Sequence, residues 1–589
     1  MMRNFALRKA ALPALLALLS ISSCCPCSKK EPAQTGYFDA HSHTSGILPY
    51  QVYADPEAFL NAPNDPNAVS AEKLRQLWKS LAADKNVPGN ARIVPGALAT
   101  MERYRDDSKL SDPQISAVLE RVLTATPFTE FDSAYAVRGV VQDDYLTGLY
   151  QNRYPGEDNG KINARINDSL CDATILELAM TNTSYSEQFL SFVGGWGSKT
   201  PTGDPAKLVA IRCFIHERKA LAGNEHFKAL GKPLPHVKVL LMTHTSELGA
   251  TSDNKEWLQY GDSGRCAPKR NKDKNFAPPS TTPVYAVKNA LLGKDADGKS
   301  LLRTEEVSEY LNGVIGIDTA GPEITCFTGH ESNDNQGAGM DDYKRLVQAV
   351  YEAARDRRAK GWHGKLLVHT HVGEGGTTYL MQKAAKNKDP FSTFPEVFMN
   401  REGEPVHVVQ AKKNIKMLIQ AVSELKTEFR DIDDFVVFRF GHVTHADLSD
   451  AFAMKSLGIE ADVNLASNIS TRAYYSKDFA ERLKKTLNED EQFKYSDPVK
   501  EFLGGADSDR LLDEHPLKHM LEAGVRTMLG SDGGGVEHSD IEHEYDRAGR
   551  LIEYWNSQDP DFKRLGLSID TIRKNAQSHL KNMQEDRRN

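Results

Sequence analysis

Four stretches of this chain carry side chains able to hold a metal ion and move a proton beside it. In His369-Thr370-His371-Val372-Gly373-Glu374-Gly375-Gly376, two imidazoles and a carboxylate follow the apolar run 366–368. That run reads as a short buried strand, and the glycines turn the chain after it. Tyr37-Phe38-Asp39-Ala40-His41-Ser42-His43 reads as a short strand ending in H-x-H. Residues i and i+2 of a strand share a side, so both imidazoles can face one site. Phe438-Arg439-Phe440-Gly441-His442 supplies another imidazole, and Met528-Leu529-Gly530-Ser531-Asp532-Gly533 a carboxylate. Neutral imidazole binds transition metals. Three imidazoles and one carboxylate, from His41, His43, His371 and Asp532, suit Zn²⁺ and leave a position for water. Zinc lowers that water's pKa enough to supply hydroxide near neutral pH. His442 can orient the hydroxide or take its proton, and Glu374 can protonate the substrate.

Groups this far apart in sequence need a scaffold that gathers strand ends. Eight apolar strand candidates are present, at 38–40, 173–179, 237–242, 314–317, 366–368, 436–440, 459–465 and 527–529. Several are separated by helical stripes. Leu346, Val347, Val350, Tyr351 and Ala354 precede the fifth, and Ile415, Leu418, Ile419, Val422 and Leu425 the sixth. Such stripes are helix faces packed on a sheet. Alternating strand and helix predicts a parallel sheet, and eight strands predict an α/β fold closed as a (β/α)₈ TIM barrel spanning 37–589. Chemistry in such barrels sits at the C-terminal strand ends, where all four stretches place their side chains. Residues 44–168 read mainly helical, with breaks such as Asn61-Ala62-Pro63-Asn64-Asp65-Pro66-Asn67. The segment is too long for an ordinary connection and is expected to form a helical cap inserted after the first strand.

The chain has 589 residues, 26% charged and 40% hydrophobic, which is ample for a large core. Net charge is −8 and basic residues do not cluster, which argues against nucleic acid as a partner. Arg3, Arg8 and Lys9 precede an apolar run at 11–19 that is too short to span a membrane. Leu19-Ser20-Ile21-Ser22-Ser23-Cys24 resembles the lipobox of bacterial lipoproteins. The expectation is a signal peptide over 1–23, a lipid on Cys24 and a polar tether over 24–36. The protein would then be exported and anchored to a bacterial membrane, on its periplasmic or cell-surface face, through that lipid alone. Cys171, Cys213, Cys266 and Cys326 form no C-x-x-C pair and leave disulfides and buried thiols both open.

Taken in order, the motifs resemble the adenosine deaminase family of metal-dependent hydrolases, within the amidohydrolase superfamily. His41-Ser42-His43 resembles its H-x-H, His371-Val372-Gly373-Glu374 its H-A-G-E, and Arg439-Phe440-Gly441-His442 its R-I-G-H. Ile317-Asp318-Thr319-Ala320-Gly321-Pro322-Glu323 is similar to its I-D-L-A-G-D-E, and Asn464-Leu465-Ala466-Ser467-Asn468 to its C-P-x-S-N. His515-Pro516-Leu517, Glu544-Tyr545 and Asn575-Ala576 are similar as well. The resemblance implies one Zn²⁺ held by His41, His43, His371 and Asp532, with Glu374 as proton donor to a ring nitrogen. It implies that His442 assists the attacking metal-bound hydroxide and that Gly321 touches the substrate through its backbone. The implied reaction is hydrolytic deamination of a purine nucleoside or a related aminated heterocycle. The fourth strand carries no lysine, so a carbamate-bridged metal pair is not expected.

Two substrate positions depart from the family. An aspartate that contacts the purine is replaced by Gly533, and one that contacts the ribose by Ser45. These changes leave open an amidase or cyclic-amide hydrolase with the same metal centre, and a non-catalytic surface binding protein on the same barrel. His369, His445 and His538 read as structural or as orienting the ligands.

Overall fold

The computed structural model describes residues 36–124, 131–191, 225–244, 256–260, 266–270, 283–320, 338–373, 406–470 and 514–584, apart from isolated positions within those ranges, together with Phe214, Leu221 and Leu512. Cys24 with the rest of 1–35, and Gly321, Glu374, His538 and the side chain of Ser45, lie outside the described residues.

Eight strands carry the architecture: β1 (Tyr37–His43), β2 (Thr183–Ser191), β3 (His236–His244), β4 (Val314–Ala320), β5 (Leu366–Val372), β6 (Val436–His442), β7 (Glu460–Val463) and β8 (Thr527–Leu529). They pair in that order, and every pair is parallel. The ring closes between β1 and the end of β8. The His43 N–H donates to the Asp532 carbonyl and the Asp532 N–H to the His41 carbonyl, both at 2.7 Å. Helices connect successive strands, among them Ala338–Ala359, Val406–Glu428, Leu448–Ser456 and Leu517–Ala523. The fold is the expected (β/α)₈ barrel. A separate antiparallel pair, Glu256–Tyr260 with Cys266–Arg270, lies between β3 and β4 in sequence. Among the described residues no helix is long and apolar enough to cross a membrane.

Alternation along each strand divides two environments. Leu366, Val368 and Val372 of β5 pack into the core under the helices, whereas Leu367 packs in the lumen with Phe189, Leu240, Ile315, Val437 and Met583. His369 and His371 follow Leu367 at two-residue steps and so rise from that apolar floor on the inner face.

Residues 173–179 are not the second strand. They form the last turns of the helix Asn159–Met180, and β2 begins at Thr183. Six of those seven residues, all but Glu177, are buried, and a helix enclosed on most sides loses its polar stripe and reads as a continuous apolar run. The true strand escapes notice because it buries polar residues on both faces: Ser186, Glu187 and Gln188 are fully buried.

Helices fill the chain from Thr44 to Met180, between β1 and β2. Leu77, Trp78, Val118, Leu119, Ile162 and their neighbours form a core of their own. Helix Asp112–Leu123 opens on a capping box at Ser111 and Gln114, and Asp158 caps Asn159–Met180 through the Lys161 N–H, which satisfies donors that a helix start leaves open.

Candidate metal centre

Five of the expected side chains meet at the C-terminal mouth of the barrel. His43 Nε2 stands 3.3 Å from His371 Nε2 and 3.4 Å from Asp532 Oδ1. His41 Nε2 is 3.9 Å from Asp532 Oδ1, and His442 Nε2 is 3.8 Å from Asp532 Oδ2. Donor atoms of His41, His43 and His371 lie within 4.8 Å of one another, as do those of His41, His442 and Asp532. Ligands on a tetrahedral zinc stand about 3.3 Å apart when the bonds are about 2.0 Å.

The donors also fit a cation by what they lack. His41 Nε2, His442 Nε2 and both Asp532 oxygens are buried without a hydrogen-bond partner. Each such atom costs about 1–3 kcal/mol or more. A divalent ion held by His41 and Asp532 would satisfy three of these atoms, and a water beside it would satisfy His442 Nε2. Two other groups converge nearby, Asp318–His369–His371 and His41–His369–Asp462. There the nitrogens and oxygens already pair at 2.6 to 2.9 Å, which is hydrogen bonding.

Those pairs orient the imidazoles. His41 Nδ1 is 2.8 Å from Asp462 Oδ1, and His371 Nδ1 is 2.9 Å from Asp318 Oδ1. A carboxylate only accepts, so each Nδ1 carries the proton and each Nε2 keeps its lone pair. His442 Nδ1 donates to Asn468 Oδ1 at 2.8 Å, with the same result. Burial pushes His41 well below the ordinary imidazole range, against the pull of Asp462. Burial likewise takes His442 down to about 4, against Asp532. Both are therefore neutral, ligand-competent rings near pH 7. Burial would raise the Asp462 carboxyl, but the His369 and His41 imidazoles bonded to it hold it well below the usual carboxylate range. Asp318 is held low in the same way by His371 and His369.

His442 reaches the site by a backbone device. Val436, Phe438 and Phe440 face the outer core, and strand parity sends residue 442 the same way. Instead φ is +63° at His442 and +45° at Val443. For a β-branched valine this is a strained conformation of the kind that collects at functional sites. Asp532 is also left-handed, at +54°. Its loop is tied to β1 by Asp39, which accepts from Ser531 N at 3.0 Å and Ser531 Oγ at 2.6 Å. Burial pushes Asp39 up to about 7 despite those bonds.

Several contributors were not singled out from sequence. Asp318 and Asp462 hold ligands, Asn468 sets His442, and the Phe189 ring lies 4.4 Å from His41 and 4.7 Å from His369. The available signal was a carboxylate at an inward position of an otherwise apolar strand. Tyr135, from helix Phe131–Val140, fills the space beside Gly533: a Cβ there would stand 2.6 Å from Tyr135 Oη. Arg138, one turn on, donates to the carbonyls of Leu123 at 2.7 Å, Leu48 at 2.9 Å and Gly535 at 3.0 Å. It pins the inserted helix to the segments that follow both β1 and β8.

No protein-family model matches the chain. The adenine deaminase of Rhizobium etli is 24% identical over 283 residues, covering 45% of this chain and 76% of its own length. The Arabidopsis N6-mAMP deaminase structure aligns with 91% of this chain and 98% of its own, at 11% identity and a TM-score of 0.37. A zinc-bound amidohydrolase of Burkholderia ambifaria aligns with 92% and 93%, at 11% identity and a TM-score of 0.31.

Proposed function

We propose that the chain is a metal-dependent hydrolase of C–N bonds, an adenosine deaminase-like aminohydrolase that releases ammonia from a purine nucleoside or a related aminated heterocycle. The carrying observation is the convergence of His41, His43, His371, His442 and Asp532, in which His41 Nε2, His442 Nε2 and both Asp532 oxygens are buried without a hydrogen-bond partner. The likeness to adenine deaminase supports the same reading.

His41, His43, His371 and Asp532 would hold one divalent ion, and their nitrogen-rich donor set suits zinc. Such an ion supplies Lewis-acid activation of water near neutral pH. His442 presents an Nε2 lone pair toward Asp532, placed to accept a proton and orient the attacking water. Glu374 follows Gly373 in sequence and would deliver a proton to the ring nitrogen. Water adds to the carbon bearing the amino group, that carbon becomes a carbonyl, and the amino group leaves as ammonia. Phe189 closes the floor and keeps bulk water from the ligands' inner side.

We also assign the chain to an exported, lipid-anchored state through Cys24. Cys171, the one cysteine whose side chain is described, is disulfide-bonded, which suits an oxidising compartment.

The test is metal analysis of purified protein, followed by ammonia release over a panel of nucleosides, purine bases and cyclic amides. About one divalent ion per chain and ammonia from an aminated ring support the proposal. Glu374→Gln should keep the metal and lose most turnover. Protein that binds no divalent metal overturns the reading. Ring opening of a cyclic amide without ammonia would make the chain an amidase.

A further inference from the structure

We propose that His369 is a positioning residue that couples two metal-ligating imidazoles, His41 and His371, through the carboxylates of Asp462 and Asp318. The inference rests on the metal-centre reading above and adds to it how the donors are held.

The contacts form one unbroken chain across the lumen. His41 Nδ1 meets Asp462 Oδ1 at 2.8 Å, and Asp462 Oδ2 meets His369 Nε2 at 2.8 Å. His369 Nδ1 meets Asp318 Oδ1 at 2.6 Å, and the same oxygen meets His371 Nδ1 at 2.9 Å. His41, His369, Asp318 and Asp462 are fully buried, and His371 is 4% exposed. A carboxylate fixes the tautomer of an imidazole only while its own rotation is fixed. For Asp462 the remaining cation nearby is Arg439, whose Nε stands 3.8 Å from Oδ2, beyond hydrogen-bond range. Asp318 Oδ2 has no hydrogen-bond partner. His369 is thus the group that stops both carboxylates from turning.

The wall of the barrel is cut to admit this ring. Gly441 lies beside it on β6, and a Cβ there would stand 2.7 Å from His369 Cε1 and 2.8 Å from Nε2. Real Cβ contacts do not come this close, so any side chain at 441 displaces the bridge. Phe189 packs against the opposite side at 4.7 Å between centroids. The third imidazole to show its orienting partner, His442, draws on Asn468 and stands outside the chain.

A second carboxylate–imidazole–carboxylate bridge supplies the control. His579 Nδ1 meets Glu460 Oε2 at 2.6 Å and its Nε2 meets Glu187 Oε1 at 3.1 Å, also in the lumen. None of Glu460, Glu187 and Arg439, which it contacts, is a metal ligand. Removing it damages the barrel without reaching the donors.

The experiment compares full-length wild type, His369→Gln and His579→Gln. Metal affinity is measured by chelator competition, the ligand field by visible absorption of the Co²⁺ form, and the stability of the metal-free protein by thermal unfolding. His369→Gln is expected to lower metal affinity about 10- to 100-fold and to alter the Co²⁺ spectrum, because two donors lose their fixed tautomer. His579→Gln is expected to lower the melting temperature while leaving affinity and spectrum as in wild type. Should His369→Gln fail to fold, Gly441→Ala reports on the same bridge and is expected to show the same affinity loss. Wild-type affinity in His369→Gln, or in a folded Gly441→Ala, overturns the coupling and leaves the metal centre standing. Equal affinity losses in the two histidine variants also overturn it, since both would then act through stability alone. A wild-type protein that binds no ion overturns both proposals together.

Discussion

A methyl group placed at Gly533 tests how the inserted helix Phe131–Val140 meets the loop that carries Asp532. The added carbon would stand 2.6 Å from Tyr135 Oη, but 3.5 Å from Tyr135 Cζ and 3.4 Å from Val536 Cβ. The last two are ordinary contacts, so the whole overlap falls on one oxygen. Overpacking of a filled site costs about 1–3 kcal/mol. Gly533 has no left-handed backbone among the positive-φ glycines, so Gly→Ala also returns about 0.4–1 kcal/mol through the unfolded chain. Gly533→Ala alone should therefore destabilise by about 1–2 kcal/mol. In a Tyr135→Phe background the oxygen is gone, and the same substitution should be neutral or slightly stabilising. The double-mutant cycle, read by denaturant unfolding, should give a coupling of about 1–3 kcal/mol. Additivity within about 0.5 kcal/mol would refute the placement of Tyr135 against this loop. The same contact explains why Gly533→Asp alone cannot install the aspartate that the family resemblance implies there. Its side chain would have to enter space that Tyr135 already holds.

Two further outcomes follow from the lumen and the N-terminus. Burial would raise Glu460, but the charges of His579 and Arg439 overcome it and hold the carboxyl at about 2, against an ordinary 4.5. A carboxyl depressed by folding contributes stability that is present above pH 4.5 and lost as pH falls toward 2, here on the order of 3 kcal/mol. Glu460→Gln should flatten the acid limb of an unfolding-versus-pH curve, and an unchanged limb would contradict the pairing. For the N-terminus, Cys24→Ser should abolish incorporation of labelled palmitate and release the protein from the membrane fraction. Retention of label would remove Cys24 as the anchor.

The parts legible in the sequence are those where local pattern and final environment agree. The inner positions of β5 alternate cleanly from Leu367 to His369 to His371, so strand, face and ligand could be read together. The H-x-H of β1 works for the same reason. Elements fail where tertiary context reverses the pattern. The strand β2 looks polar because Ser186, Glu187 and Gln188 are buried on both of its faces, while the buried helix before it looks like a strand. His442 lies on the outward parity of β6 and turns inward only through the left-handed φ of +63°. Tyr135 and Arg138 belong to a segment whose docking depends on contacts with Gly46, Leu48, Gly533 and Gly535. No periodicity within residues 131–140 encodes those distant partners.

The lumen below the site carries a column of opposed charges beside its apolar floor. Glu187, Asp318, Glu460 and Asp462 are buried to within about a hundredth of their surface, and His369, Arg439 and His579 lie among them. An unpaired buried carboxylate costs several kcal/mol, so each anion is tolerable only beside its cation. Arg439 anchors the lower bridge: it donates to Glu187 Oε2 at 2.5 Å, while its Nε stands 3.8 Å from Asp462 Oδ2, beyond hydrogen-bond range. His41 and His371 are consequently oriented from beneath, by the strand residues Asp462 and Asp318. This separation has a direct consequence for specificity. Changes at Gly533, Tyr135 or Ser45 can reshape what enters the mouth while His41 and His371 keep their aim. Changes at Asp318, His369 or Asp462 act on the aim itself, whichever substrate is offered.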